Sequence, residues 1–123
     1  MGRGQRGRFP RARCGQGRSV NRGDIYAYSG LGRARFVAIV SNDGFNAITG
    51  HPLVVKVSDR PDLSESPYVV ALSPADPIAG HLESYSAVRV RRDRLARERV
   101  GQLAASTMRR LDDALALLFD HEA

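Results

Sequence analysis

A chain of 123 residues, 42% apolar and 26% charged, has room for one domain with one modest core, which excludes a multidomain enzyme. No apolar run approaches the ~20 residues that a membrane-spanning helix needs, and no hydrophobic stretch follows the arginine-dotted start as a secretory signal would require; the expectation is a soluble, cytoplasmic protein with no membrane partner. The single Cys14 excludes an intrachain disulfide, and one cysteine with three scattered histidines matches no metal-ligand spacing, so no metal and no cofactor is expected.

The net charge of +6 is unevenly placed: seven arginines and no acid fall in residues 1–22, whereas the other 12 basic residues face all 13 acids. Residues 1–20 mix Gly and Arg with only Phe9 and Val20 as sizeable apolar groups, too few to offset the entropy of ordering. The expectation is a disordered Arg/Gly arm over 1–20 followed by one domain over 21–123. The arm is either a clamp on phosphates or an extension upstream of a domain whose translation starts near Val20.

From Asn21 on, short β-branched and aromatic runs broken by turn residues read as an all-β domain. Five strands are expected: Asp24–Ser29, Ala34–Asn42, Pro52–Asp59, Tyr68–Ser73 and Ser84–Arg91. Turns are expected at Ser29-Gly30-Leu31-Gly32, at Asn42-Asp43-Gly44 and at Arg60-Pro61-Asp62, and strands this short with such connections make a small barrel.

An antiparallel hairpin keeps the sum of opposed residue numbers constant. With a sum of 93, Phe36, Ala38 and Val40 oppose Val57, Val55 and Leu53 and form one apolar face, the expected core. The other face sets Arg35, Val37 and Ile39 against Ser58, Lys56 and Val54, polar at one end and apolar at the other. Any odd sum gives the same two faces, and only sums near 93 bring the Arg35 guanidinium beside the Ser58 hydroxyl. The partly apolar outer face is open to a second copy of the chain.

Asp93–Arg99 reads as a short helix capped by Asp93 and closed by Gly101. Ser106 then caps a helix running to about Asp120, whose Met108, Leu111, Leu115, Leu118 and Phe119 make one apolar stripe suited to cover a sheet. Several polar residues have structural readings of their own. Asp24 ties down a turn; Ser41, Asn42 and Asp43 serve a hairpin end; His51 and His81 sit beside Pro52 and Gly80 in loops; and the run from Arg89 to Arg99, interspersed with Asp93 and Glu98, is a solvated face. Arg35 reads as a surface arginine paired with Asp59 or Asp24, and Ser58 as a strand-end serine.

The order of segments resembles one family. Arg22-Gly23-Asp24-Ile25-Tyr26, then Arg35-Phe36-Val37-Ala38-Ile39-Val40-Ser41-Asn42-Asp43 with Asn46 behind it, is similar to the PemK/MazF toxins of bacterial toxin–antitoxin pairs. Val54-Val55-Lys56-Val57-Ser58, Pro67-Tyr68-Val69-Val70-Ala71-Leu72, Arg94-Leu95 with Gly101, and Leu111-Asp112-Asp113-Ala114-Leu115 extend the similarity over roughly residues 21–120.

The resemblance implies a mainly β, SH3-like five-stranded barrel with a C-terminal helix. It also implies a homodimer that cleaves single-stranded mRNA at specific sequences without a metal and is neutralised by a proteic antitoxin. It puts catalysis on Arg35 and Ser58, where the family has an arginine and a threonine, and RNA contacts on Arg33, Lys56, Asp24 and Asn42. A fixed guanidinium suits charge building on a phosphate under attack by a ribose 2′-hydroxyl, and a neighbouring hydroxyl can hold or relay a proton. The chain departs from the family in Phe36, where proline commonly follows the arginine, in Ser58 for threonine, and in a short loop at 30–34 that has no carboxylate. The alternatives are an inactive member of the fold that binds RNA or antitoxin, and a gyrase poison of the CcdB kind.

Overall fold

The computed structural model describes residues 19–59 and 66–120. Seven short strands make one antiparallel sheet: β1 (Asp24–Ala27), β2 (Phe36–Ile39), β3 (Leu53–Ser58), β4 (Val69–Ala71), β5 (His81–Glu83), β6 (Val88–Arg89) and β7 (Gly101–Gln102). Their order is β4-β5-β3-β2-β1-β7, with β6 added to β3. The sheet curls into a half-barrel, with helix α1 (Asp43–Thr49) between β2 and β3 and helix α2 (Ala105–Leu118) at the C-terminal end.

The register of β2 on β3 has the expected sum of 93: Phe36 opposes Val57, Ala38 opposes Val55, and Ile39 opposes Val54. Alternation then divides the sheet between two cores. On one face Ile25, Ala38, Val55, Val57 and Leu82 meet Leu111 and Ala114 of α2. On the other, Val37, Ile39 and Val54 are fully buried against Val20, Tyr26, Val90 and Leu95. The face expected to be open to a second chain is therefore covered by this chain itself, by the segment leading into β1 and the one following β6.

Residues 1–18, with most of the expected arm, and the Arg60-Pro61-Asp62 turn lie outside the described residues. Val20, which we assigned to the arm, is 4% exposed inside the second core, and its carbonyl accepts from Asn46 Nδ2 at 3.2 Å. A chain begun at Val20 is expected to melt where the full chain does. Val20→Ala is expected to lower stability by about 2 kcal/mol, read as the shift in a urea unfolding midpoint.

Three elements differ from expectation, the first two because side chains compete for backbone groups. Asn42-Asp43-Gly44 is a helix start and not a turn: the Asn42 side chain accepts from Phe45 N at 2.8 Å, and α1 runs on to Gly50, whose N–H closes on Asn46 O. The expected strand Ser84–Arg91 breaks into a 3₁₀ turn at Ser84–Ser86 and the two-residue β6. There Ser84 Oγ donates to Tyr68 O at 2.6 Å, while Ser86 Oγ donates to Glu83 O at 2.7 Å and accepts from Lys56 N at 2.8 Å, replacing strand partners.

The third is the expected helix at Asp93–Arg99, which is only a 3₁₀ turn at Arg92–Arg94. Leu95 is its one buried apolar side chain, too little for a helical face, and the chain runs on extended beside β1 through Ala96 N to Ala27 O and Val100 N to Ile25 O.

Helix α2 starts at Ala105 with Ala104 as its cap residue, and Ser106 lies inside it. Its open N–H groups are met from elsewhere. Asp76, in the β4–β5 connection, accepts from Ala104 N at 2.7 Å and Thr107 Oγ1 at 2.6 Å, and also from Ser73 N at 2.7 Å and Ser73 Oγ at 2.9 Å. Burial by itself would raise the Asp76 pKa, but the bonds from Thr107, Ala104 and Ser73 outweigh it and hold the carboxyl below its ordinary value. Met108, Leu111 and Leu115 pack in the first core as expected, whereas Leu118 is only half-buried and Phe119 is 73% exposed beyond the last turn.

Candidate active site

Continuing the ladders to one end of the sheet lines up a row of side chains. Tyr28 N donates to Arg35 O at 2.9 Å, one step past the last β1–β2 pair. Arg35 falls opposite Ser58 one step past Phe36 and Val57, and Ser58 pairs with His81 on β5. Opposed residues share a face, so Tyr28, Arg35, Ser58 and His81 stand level across four strands at the polar edge of the second core. In the next row inward, Lys56 opposes Val37 and, continuing the β3–β5 register, Glu83.

An open cleft of about 860 Å³ lies at this end of the sheet, lined by Arg33, Arg35, Lys56, Ser58, Asp59 and Glu83 among others, with Tyr28 and His81 beside it and outside its lining. Three cations and two carboxylates give it a net positive rim around the hydroxyl, suited to a phosphodiester. Gly80 brings β5 close to this edge: with φ +140 it approaches so tightly that a Cβ would lie 2.8 Å from Ser58 O. A side chain there would push Ser58 out of the row.

Four of the expected site residues, Arg35, Ser58, Arg33 and Lys56, are brought together in the cleft. Neither alternative partner holds the Arg35 guanidinium. It makes no ion pair among the described residues, and Asp24 is taken by Arg99 Nη1 at 2.9 Å. Asp24 and Asn42 are not in the cleft. Asp24 is 2% exposed and accepts from Arg99, from Gln102 Nε2 at 3.1 Å and from Asn21 N at 2.9 Å, which makes it a clamp on the start of β1. Asn42 lies beyond the far end of β2 and spends its side chain on the α1 cap.

Sequence reasoning placed His81 in a loop, with nothing around it to support a proton-carrier role, and passed over Glu83, because a three-residue strand with one apolar residue, Leu82, offers no period to read. Glu83 is 8% exposed in the cleft wall. Among the described residues no group of three or more His, Cys, Asp or Glu could hold a metal ion, and no helix is long and apolar enough to cross a membrane.

The profile of the PemK-like, MazF-like toxins of type II toxin–antitoxin systems matches residues 21–119. Among solved structures, an endoribonuclease from a Mycobacterial species is similar with a TM-score of 0.72 and 26% identity over 81% of this chain and 90% of its own. A Mycobacterial endoribonuclease in complex with its cognate antitoxin is similar with a TM-score of 0.72 and 27% identity over 80% of this chain and 92% of its own. A MazE–MazF structure from Deinococcus radiodurans has a TM-score of 0.69 over 82% of this chain and 96% of its own, and at 17% identity it shows the fold alone. No curated protein sequence matches the chain.

Proposed function

The chain belongs to the PemK-like, MazF-like toxin family of type II toxin–antitoxin systems, and from that premise we propose that the Arg35–Ser58 cleft cuts single-stranded RNA. The chain is an endoribonuclease toxin with an antitoxin as its partner, and the two alternatives, an inactive binder and a gyrase poison, are not favoured. The observation that carries the site is the level placement of an exposed guanidinium, free of ion pairs among the described residues, and a hydroxyl in one cationic cleft.

In this reading the 2′-oxygen attacks the neighbouring phosphorus, the P–O5′ bond breaks, and the Arg35 fork stabilises the charge that builds on the non-bridging oxygens. Ser58 orients the phosphate or relays a proton, while Arg33 and Lys56 hold flanking phosphates and fix register without reading bases. The cytoplasm is the compartment where such RNA is met. The homodimer belongs to the same reading on the strength of the family resemblance, and a monomer mass by light scattering would count against it.

Induced expression followed by mapping of RNA 5′ ends tests the activity. New ends at a recurrent short motif are expected. Cleavage by the purified protein should persist in EDTA and leave a 2′,3′-cyclic phosphate. Cleavage that stops on chelation would place the chemistry elsewhere.

A further inference from the structure

We propose that His81 is the base of the cleavage reaction, taking the proton from the attacking 2′-hydroxyl. This rests on the reading of the Arg35–Ser58 cleft as the place where RNA is cut. His81 pairs directly with Ser58, and Arg35 stands on the other side of that serine, so the imidazole is the third member of one row on one face. The close approach of Gly80 to the Ser58 carbonyl keeps β5 against this edge.

The imidazole is not engaged as a structural histidine would be. Its Nδ1 is buried without a hydrogen-bond partner, the one such side-chain atom among the described residues. Buried polar groups are nearly always paired, and an exception calls for a reason. The outer nitrogen, Nε2, is not among the buried atoms and has no partner among the described residues either. It is therefore open to an incoming hydroxyl.

The other members of the row cannot take this proton. A guanidinium has no acceptor, and a serine hydroxyl gains basicity only from a neighbouring base. The charged residues on the elements around His81 are Arg35 just before β2, Lys56 on β3 and Asp59 just after it, Glu83 on its own strand, and Arg110 of α2, whose Nη1 donates to the carbonyl of the paired Ala71 at 3.0 Å. Alternation turns Asp59 to the opposite face from Ser58, and Glu83 stands one row inward, opposite Lys56.

The step balances within the RNA and water. The O2′–P bond forms as the 2′-proton passes to the imidazole. The P–O5′ bond breaks, the 5′-oxygen leaves with a proton from water, and the imidazolium returns its proton to the hydroxide, ending with a cyclic phosphate, a 5′-hydroxyl and a neutral imidazole.

The test uses the full chain and a short RNA carrying the mapped motif. His81→Gln is expected to cut about 100-fold or more slowly, while its affinity for the same RNA with a 2′-deoxy residue at the cut stays near that of the unchanged chain. The wild-type rate should depend on pH, and His81→Gln should lose that dependence. Added imidazole should restore part of the rate to His81→Ala and none to Arg35→Ala.

A wild-type rate that does not change with pH would overturn the proposal whether or not any variant folds. So would a folded His81→Gln protein that cuts at the wild-type rate. Arg35→Ala separates the two readings. If it still cuts, the cleft itself is misassigned. If it is inactive while His81→Gln is active, only the base is.

Discussion

Arg35→Ala is expected to abolish cutting, with the rate falling by roughly 10²–10³ or more, the usual effect of removing one preorganised donor to a developing oxyanion. The loss belongs to the chemical step and not to folding. The guanidinium is exposed and makes no ion pair among the described residues, so the variant should melt within about a degree or two of the parent. Arg35→Lys separates charge from geometry. It keeps the cation but loses the planar fork, so cleavage should fall far more than binding of an uncleavable RNA.

Ser58→Ala should cost less than Arg35→Ala, since a hydroxyl that orients or relays supplies less electrostatic stabilisation than the guanidinium. Ser58→Thr should be tolerated, because the added methyl only narrows the rotamers. Single-turnover cleavage beside binding to 2′-deoxy RNA reads both effects. An Arg35→Ala protein cutting at the parental rate would show that the chemistry lies on other residues.

Asp76→Ala is the change expected to damage the fold most. It leaves Ala104 N, Thr107 Oγ1 and Ser73 N without their acceptor at the join of α2 and the sheet, and Thr107 is fully buried. Unpaired buried donors cost about 1–3 kcal/mol each, less where water reaches them, so a total of about 3 kcal/mol is expected, seen as a melting point lower by roughly 10–20 °C.

The same carboxylate sets a pH dependence. Its folded pKa lies below the unfolded one, so its contribution is present above the ordinary carboxylate range and fades as pH falls through the folded value. Below about pH 4 the parent should lose stability more steeply than Asp76→Asn, which carries no titrating group there. Parallel acid limbs in urea titrations of the two proteins would show that Asp76 is not the anchor of α2.

By itself the sequence determined the class of fold and the central hairpin. Alternating apolar residues in β2 and β3 fix which side chains share the core face, a condition that any odd sum meets, and the folded sheet has the one that sums to 93. Parity alone left the Arg35–Ser58 neighbourhood a matter of register, which the sheet decides, whereas an amphipathic stripe around Leu111 was enough to place a covering helix.

What only the tertiary structure decided involves groups far apart in the chain. Asp76 caps a helix 28 residues later, at Ala104. Arg99 turns Asp24 from a candidate RNA contact into a buried clamp 75 residues away. Val20 closes a second core over a face that, strand by strand, looked open. His81 became visible only when β5, too short to carry a period, was laid against Ser58. Periodicity reports which face of an element is buried, but not what buries it. Hydrogen-bonding capacity shows that a polar group needs a partner, and only the folded chain determines which partner it finds.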